Sequence, residues 1–433
     1  MKRSGVKKMV EIRAFPAIRY TPKAGALENL VTQPYDKISP EMQKNYYAKS
    51  EFNYCRLVLP IEKNRYEIAK QRLEKFLAEG IFRKDEKPGI YVYYQEFEVL
   101  GRKYLRRGMI CAVRLYPFSE GVVLPHEKTH AGPKIDRLNM LRATMKNLEP
   151  GFMLYPDENN ETVKIFEKYT KEKPLMEVVD EYGVRNRVWK IEDPADIERI
   201  QKVLKDKQVV IADGHHRYET AVSFRDELRA KYSWSNDDAF NFYMALLVPV
   251  NDPGLVILPG HRVLLQKSLV KSHLSEIQKY FDVTALTRQN IESFLEQNRK
   301  KICFVAYDGK QYLGMVLKGI EHVHPFFKPD YSEAYKRLDV VVLRDVVFEG
   351  IMDARDLKID VDIDYCRWID EAIGKVNSGR GKVAFLVNAT RPEQVLEIAK
   401  NRERMPEKST DFYPKMLSGL TMMDIAMGEK LNA

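Results

Sequence analysis

Residues 213–217, with the sequence Asp-Gly-His-His-Arg, place four chemically useful side chains around one glycine. The apolar residues 209–212 precede them and predict a buried strand, and the residues after them predict a helix. A helix beginning there presents free N–H groups and the positive end of its dipole. With Gly214 allowing close approach and Arg217 adding a cation, this arrangement favours an anion such as phosphate. The alternative is a polar cap on an ordinary helix, with both histidines in solvent or in local hydrogen bonds.

A second polar cluster begins at His126, Glu127 and Lys128, in a loop that continues to Arg137. A carboxylate among cations can act as a general base, because positive charge keeps it ionised and hydrogen bonds orient it. Glu127 is the candidate carboxylate in this loop. The alternative is a solvated surface turn held by salt bridges.

Two further clusters lie in the C-terminal half. His261 and Arg262 follow a Pro-Gly pair, where a structural role and a binding role are both open. Residues 408–410, Lys-Ser-Thr, with Lys415 nearby, offer the cations and hydroxyls that suit a nucleotide phosphate tail. No Gly-rich Walker pattern and no strand-coupled G-x-G-x-x-G is present, which argues against a P-loop or Rossmann site.

Metal and nucleophile chemistry find less support in the sequence. His215 and Glu219 lie four residues apart, and His216 and Glu219 three apart, so each pair shares a helix face. One acid with two adjacent histidines makes an incomplete zinc shell. Mg²⁺ held largely by substrate phosphates, with Asp213 as the protein ligand, is the better expectation. No cysteine lies beside a histidine and no serine lies in an elbow motif, so no nucleophile is predicted.

Composition restricts the class of protein. The chain has 433 residues, of which 44% are hydrophobic and 31% charged, which favours a soluble protein with two domains. No apolar run is long enough to span a bilayer, and the basic N-terminus lacks a signal-peptide core, so we expect a cytoplasmic protein. Four scattered cysteines argue against a disulfide framework. The net charge of +9 is dispersed along the chain, which argues against a nucleic-acid partner.

The elements that position these clusters are mixed strands and helices without a regular β-α-β rhythm, which predicts an α+β fold. The pattern of residue types along the sequence changes at residues 251–254, Asn-Asp-Pro-Gly. We therefore predict two domains, residues 1–250 and residues 251–433, the second a mixed α/β domain that contributes the Lys-Ser-Thr loop.

Together these clusters resemble the domain of unknown function 1015 family over nearly the whole chain. The matching segments, in chain order, are residues 33–36 (Gln-Pro-Tyr-Asp), 126–129 (His-Glu-Lys-Thr), 136–137 (Asp-Arg), 213–221, 261–262, 405–410 and 413–415. With residues 136–137 counted together with 126–129, and 413–415 together with 405–410, these are five motifs in a fixed order, which makes the resemblance specific.

The Asp-Gly-His-x-Arg core also resembles the phosphate-binding box of free serine kinases, which have a ParB/sulfiredoxin-like fold. This resemblance implies a ParB/sulfiredoxin-like N-terminal catalytic domain and a nucleotide site built from Gly214, His215, Arg217, Lys408, Ser409 and Thr410. It implies Glu127 as the base, with Asp213 and His216 completing the catalytic set. The implied substrate-binding residues are His126, Lys128, Arg137, His261 and Arg262.

The implied function is a kinase that transfers a phosphoryl group from ATP or ADP, with Mg²⁺, to free L-serine or a similar small hydroxylated metabolite. A homodimer is compatible with this expectation. The alternative from another class is a ParB-like nucleic-acid-binding or nucleotide-switch protein. A sulfiredoxin-type reductase lacks its reactive cysteine here, and a metal-dependent hydrolase would use His215, His216 and Glu219.

Overall fold

The computed structural model describes residues 9–129, 131–355 and 357–432. The chain forms two compact units, one of Met1–Val256 with Pro414–Ala433 and one of Ile257–Tyr413. We expected a single boundary near residue 250. The C-terminal segment instead joins the first unit, because Met423–Asp424 pairs with Lys146–Asn147 and Met422 exchanges backbone hydrogen bonds with Ile18.

The strands, in chain order, are β1 (Ile12–Arg13), β2 (Ile18–Tyr20), β3 (Phe82–Lys84), β4 (Ile90–Val99), β5 (Arg102–Arg114), β6 (Val123–Leu124), β7 (Lys146–Asn147), β8 (Gly151–Tyr155), β9 (Met176–Val179), β10 (Arg185–Ile191), β11 (Val209–Asp213), β12 (Phe242–Pro249), β13 (Val256–Leu258), β14 (His261–Leu264), β15 (Phe281–Leu286), β16 (Cys303–Tyr307), β17 (Tyr312–Leu317), β18 (Ile363–Cys366), β19 (Val383–Val387), β20 (Asp411–Tyr413) and β21 (Met423–Asp424).

The helices are α1 (Pro40–Lys49), α2 (Cys55–Val58), α3 (Arg65–Ala78), α4 (Ala131–Thr144), α5 (Glu161–Tyr169), α6 (Pro194–Leu204), α7 (His215–Lys231), α8 (Lys271–Tyr280), α9 (Ile291–Gln297), α10 (Glu333–Lys336), α11 (Asp339–Val342), α12 (Ile369–Asn377) and α13 (Pro392–Lys400). Helix α11 continues through Leu343–Ile351 in the wider π geometry. The structure is thus a mixture of helices and several sheets, as the sequence predicts.

The first unit is built on a mixed sheet with the order β6-β11-β8-β12-β5-β4-β10-β9, to which β1 adds beside β5. The pairs β6–β11 and β8–β12 are parallel and the other pairs are antiparallel. Every residue of β8 and β12 is buried, because both faces of these central strands are covered. The sheet therefore gives a rigid base, and the C-terminal end of β11 lies next to its most buried part.

The hairpin β4–β5 follows from its turn residues. Leu100 and Gly101 have φ angles of 53° and 70°, which fits a two-residue turn with both central residues left-handed. The sequence predicts two strands joined through Gly101 and Arg102; this hairpin is confirmed, with its turn one residue earlier, at Leu100 and Gly101.

The second unit contains an antiparallel sheet with the order β15-β17-β16-β19-β14-β18. Apolar side chains of α9 and α12, among them Ile291, Leu295 and Ile373, pack on one face of this sheet. Strands β13 and β20 form a separate two-stranded ribbon. In the part of the chain that the structure describes, no helix is both long and apolar enough to cross a membrane.

A buried carboxyl in the second unit makes stability depend on pH. Burial raises the pKa of Asp339 to about 7, although the Cys303 N–H, 3.1 Å from its Oδ1, and the charges of Arg391 and Arg262 lower it. The unfolded chain releases this proton near pH 4, so folding stability falls as the pH rises from about 4 to about 7.

We expect Asp339→Asn to raise the free energy of unfolding at pH 8 by roughly 2–4 kcal/mol, because the amide never ionises. At pH 4 the gain should nearly vanish. Urea denaturation followed by circular dichroism at both pH values measures the difference. An equal effect at pH 4 and pH 8 would show that ionisation of this carboxyl is not the cause.

Candidate functional site

The strand-to-helix junction at Gly214 is the centre of the candidate site. Strand β11 ends at Asp213 with an irregular register against β8, and helix α7 begins at His215. Gly214 joins them with φ +89° and ψ 30°, a left-handed conformation that favours glycine. The strand and the helix predicted on either side of this glycine are both present. The N-terminus of α7 therefore follows immediately after a strand of the main sheet.

The guanidinium of Arg217 folds back over this junction. A Cβ placed on Gly214 would lie 3.0 Å from both Nε and Nη2 of Arg217, so the absence of a side chain at residue 214 makes room for it. Arg217 is only 8% exposed, and among the described residues its guanidinium forms no hydrogen bond or ion pair. Burial by itself would lower the pKa of Arg217. Nearby Tyr243, Glu149, Asp213 and Asp36 raise it by more, so the net pKa lies above its usual range and the group stays charged.

Asp213 is an ionised carboxylate among cations. Burial would raise its pKa, but the charges of Lys415, Arg217 and Lys37 hold that pKa well below its usual range. Its Oδ2 lies 3.3 Å from Nζ of Lys415, and its Oδ1 accepts a hydrogen bond from the Gly214 N–H at 2.8 Å. Arg217 from the first turn of α7 and two cations from distant parts of the sequence, Lys37 and Lys415, thus act on the end of β11.

The backbone beside Lys415 is held by two buried polar side chains of the sheet. Arg106 donates to the Pro414 carbonyl at 2.7 Å and also to the Oε1 atom of Gln95. Gln95 in turn donates to the Lys415 carbonyl at 3.0 Å. Burial lowers the pKa of Arg106 to about 10. These bonds fix the C-terminal segment so that the Lys415 ammonium reaches Asp213.

A small cavity of about 40 Å³ lies beside Arg217, lined also by Arg137, Asn147, Glu149 and Tyr243. The Tyr243 hydroxyl and the Asn147 Nδ2 are buried and have no hydrogen-bond partner in the described part of the chain. The Asn147 Oδ1 accepts from the Met244 N–H at 2.9 Å, which fixes the amide orientation. Three buried donors without a hydrogen-bond partner, Arg217 among them, therefore line one cavity. Leaving them unpaired costs folding free energy, and an anion bound there would remove that cost.

The charged residues that line this cavity besides Arg217 already have hydrogen-bond partners. The Glu149 Oε1 accepts from the Tyr35 N–H at 3.0 Å and from the Ser418 hydroxyl at 2.7 Å. The Arg137 guanidinium lies 3.9 Å from the centre of the Tyr35 ring and donates to the Val58 carbonyl at 3.0 Å. Arg137 and the Gln-Pro-Tyr-Asp segment therefore meet at Tyr35.

The predicted base, Glu127, lies between two buried imidazoles. Its Oε1 is 3.8 Å from Nε2 of His126, and its Oε2 is 3.8 Å from Nδ1 of His215. The His126 Nδ1 lies 2.7 Å from the Ile211 carbonyl and must donate to it. The His215 Nε2 accepts from the His126 backbone N–H at 3.2 Å, so the proton of a neutral His215 sits on Nδ1, facing Glu127. The Glu127 side chain is 30% exposed, which leaves it accessible to a substrate.

The remaining predicted residues of the first unit are more peripheral. Lys128 is exposed, and His216 is half-buried with its carbonyl accepting from the Thr220 hydroxyl at 2.7 Å. The Glu219 carboxylate is bound by Lys134 and Thr129. In the described ranges, no group of three or more His, Cys, Asp or Glu residues could hold a metal ion. The predicted role of Asp213 as a magnesium ligand therefore depends on phosphate oxygens completing the shell.

Comparison with protein families shows the relationship of the chain. Residues 12–341 match the model of the family described as "Protein of unknown function (DUF1015)". The chain belongs to this family. Comparison with curated proteins gave no match for this DUF1015 protein.

Solved structures with partial likeness include a mutant free serine kinase in complex with ADP, at 13% identity and a TM-score of 0.33. The likeness covers 70% of this chain and 89% of that one. A free serine kinase in complex with AMP gives 15% identity and a TM-score of 0.32, with 70% and 89% covered. A conserved hypothetical protein from Pyrococcus furiosus gives 14% identity and a TM-score of 0.31. The likeness covers 69% of this chain and 93% of that one. At these values we transfer no activity from the neighbours.

The predicted residues of the second unit of this DUF1015 protein have structural surroundings of their own. His261 is buried and its Nδ1 accepts from the Val387 N–H at 3.2 Å, while burial and the charge of Arg262 lower its pKa to about 3. Arg262 is buried and donates to the Gly260 carbonyl. The Ser409 hydroxyl donates to the Pro406 carbonyl at 2.5 Å. Exposed Lys408 has a left-handed φ of 57°, and Thr410 is half-buried. Their binding roles stay predictions.

Several residues of the site were missed by the sequence-based prediction. Tyr243 and Asn147 lie in buried strands, where nothing distinguishes them from packing residues. Lys415 was grouped with the Lys-Ser-Thr loop, and Glu149 was not singled out. The Gln-Pro-Tyr-Asp segment was noted without a role, and Lys37 directly follows it. A lysine directly after a polar motif is the signal from which Tyr35 and Lys37 could have been predicted as site residues.

Proposed function

We propose that this protein is a small-molecule kinase that transfers a phosphoryl group from ATP or ADP to the hydroxyl of free L-serine or a similar small metabolite. The observation that carries the proposal is the set of three unsatisfied buried donors, Arg217, Tyr243 and Asn147, at one cavity beside the start of α7. Unsatisfied buried donors beside a helix N-terminus suit an anion. The Asp-Gly-His-x-Arg motif resembles the phosphate box of serine kinases with a ParB/sulfiredoxin-like fold, the fold we propose for the first unit.

The charges at the junction suit a nucleotide tail. Phosphoryl transfer depends mainly on positioning and on neutralising the charge of the phosphate oxygens. Arg217, Lys415 and Lys37 all act on Asp213 electrostatically and so lie near the start of α7. The missing side chain of Gly214 leaves room for the Arg217 guanidinium to lie over the junction. In the proposal these groups hold the nucleotide phosphates, and Asp213 would hold Mg²⁺, which would help to neutralise the phosphate charge.

Glu127 supplies the base in this proposal. Its carboxylate accepts the proton of the acceptor hydroxyl, whose oxygen then forms a bond to the terminal phosphorus. The bond from that phosphorus to the bridging oxygen breaks, and ADP or AMP leaves. His215 positions the carboxylate, since its Nδ1–H faces Glu127 from 3.8 Å. We propose that His216 completes the catalytic set and that His126, Lys128 and Arg137 bind the substrate. From the second unit, we propose Lys408–Thr410 for the nucleotide and His261 with Arg262 for the substrate.

The experiment that tests the proposal is an assay with ATP or ADP, Mg²⁺ and a panel of amino acids and polyols. ³¹P NMR should show a new phosphate monoester together with ADP or AMP, in equal amounts. No ester with any acceptor, despite measurable nucleotide binding, would favour the nucleotide-switch alternative. Absence of nucleotide binding would overturn the proposal.

A further inference from the structure

The second unit contains a cavity of about 580 Å³, a volume in the range of ordinary metabolite sites. Its wall combines the loop after α9, the segment after β17, helix α10, the start of α11 and the start of α13. Its charged lining residues are Asp282, Lys300, Lys301, Lys318, Glu333, Arg337, Asp339, Arg391 and Glu397. Apolar side chains, among them Ile302, Val316 and Ile320, complete it. None of these residues belongs to a motif that predicts a binding site.

Five of the lining side chains are cations, and none of them forms an ion pair within the described residues. Lys318 donates to the Gln278 carbonyl at 2.8 Å, and Arg391 donates to the Arg299 carbonyl at 3.1 Å. Carbonyl oxygens fix these two side chains in place without neutralising their charge. The side chains of Lys300, Lys301 and Arg337 form no described hydrogen bond, so they are available to a ligand.

The acids of the wall compensate this charge incompletely. Glu333 forms an ion pair with Lys336 at 2.8 Å. Its charge is therefore already compensated by a lysine that is not one of the five cations. Asp339 accepts the Cys303 N–H, and burial raises its pKa to about 7, which leaves it partly neutral at neutral pH. Asp282 and Glu397 are exposed to solvent, as are four of the five cations, so solvent screens charges of both signs and the wall holds five cations against four acids. The cavity therefore keeps an excess of positive charge.

The start of helix α13 adds to this excess. Arg391 precedes the helix, which spans Pro392–Lys400, and both Arg391 and Gln394 line the cavity. The first turn of a helix carries partial positive charge that favours anions, and phosphate most often. Lysine and arginine side chains together with a helix start are the usual partners of a phosphate group.

We propose that this cavity is a binding site for a phosphorylated small molecule, separate from the nucleotide site proposed in the first unit. The cations bind the phosphate, with the dipole of α13 adding to the positive potential, and the apolar strip around Ile302 and Val316 contacts the rest of the ligand. The proposal does not require the protein to be a kinase.

Lysine footprinting of the full chain tests the site directly, with inorganic pyrophosphate as the probe. Acetylation of Lys300, Lys301 and Lys318 by an activated ester is measured by mass spectrometry, with exposed Lys310 and Lys328 of the same unit as internal controls. At ten times its Kd the probe should slow labelling of the three cavity lysines by about tenfold, because only about one site in eleven stays free. Labelling of the two control lysines should not change.

Sulfate at matched ionic strength separates a phosphate site from general screening of charge. Slower labelling with pyrophosphate and not with sulfate supports the proposal, whereas equal effects of both anions would overturn it. Repeating the measurement in an Arg217→Met background keeps the two proposed sites distinguishable. Protection of the cavity lysines should persist there even if binding in the first unit is lost.

A double variant tests the cations themselves. Lys301→Gln with Arg337→Gln removes two charges that make no described side-chain contact, so the fold should be retained. The midpoint of pyrophosphate protection at Lys300 and Lys318 should rise by about tenfold or more. The matched control, Lys310→Gln with Lys328→Gln, removes equal charge outside the cavity and should leave the midpoint unchanged. Equal midpoints for both double variants, with unchanged circular dichroism, would refute the site.

Discussion

Replacing Glu127 with Gln is expected to abolish phosphoryl transfer while adenine-nucleotide affinity stays unchanged. The amide keeps the shape of the side chain but cannot accept the proton of the acceptor hydroxyl. General-base catalysis accounts for roughly 100- to 10,000-fold in rate, so kcat should fall by that factor. Steady-state kinetics with the acceptor found in the panel assay measures turnover, and calorimetry measures nucleotide binding.

Glu219→Gln is the matched control for this variant. Glu219 also lies at the start of α7, but its carboxylate is bound by Lys134 and Thr129, and it has no place in the proposed chemistry. We expect that variant to keep most of its turnover. If Glu127→Gln loses nucleotide binding and turnover equally, the role of Glu127 is structural. If Glu219→Gln instead abolishes activity together with a bound metal, the hydrolase alternative gains support.

Replacing Arg217 with Met should weaken nucleotide binding strongly and leave the unliganded protein stable. The guanidinium has no hydrogen-bond or ion-pair partner in the described chain, so the variant breaks no internal bond. A lost charge-assisted hydrogen bond to phosphate costs about 1.5–3 kcal/mol, or roughly 10- to 150-fold in Kd. The free energy of unfolding should change little, since the variant breaks no hydrogen bond and Asp213 keeps its contact with Lys415.

Arg225→Met on the same helix provides the contrast. Arg225 is also buried, but it donates to the Leu115 carbonyl at 2.5 Å and to Asp226 at 2.8 Å. Its loss leaves a buried carbonyl unsatisfied and should cost about 1–3 kcal/mol of stability, with little effect on nucleotide Kd. Calorimetric titration and urea denaturation of both variants give the comparison. A large loss of stability in Arg217→Met with unchanged nucleotide affinity would contradict the phosphate role.

The local features of the site were predictable from the sequence because they depend on neighbours in the chain. An apolar run followed by Asp-Gly and a polar stretch predicts a strand, a left-handed glycine and a helix, and the structure has all three at residues 209–231. The hairpins at residues 100–101 and 308–310 followed in the same way from their turn residues. The family was also predictable, because its motifs occur in a fixed order along the chain.

What the sequence could not determine is which distant residues meet at that helix start. Lys415 contacts Asp213 because Arg106 and Gln95 on adjacent strands hold the backbone of the C-terminal segment. The unsatisfied donor of Tyr243 comes from a strand whose sequence is typical of a core, and that of Asn147 from a two-residue strand where the sequence predicts the end of a helix. Backbone propensities act over a few residues, whereas sheet order and side-chain burial are set by the packing of the whole unit. The sequence alone therefore determined the anion-favouring junction, and the tertiary structure decided which cations, donors and carboxylates surround it.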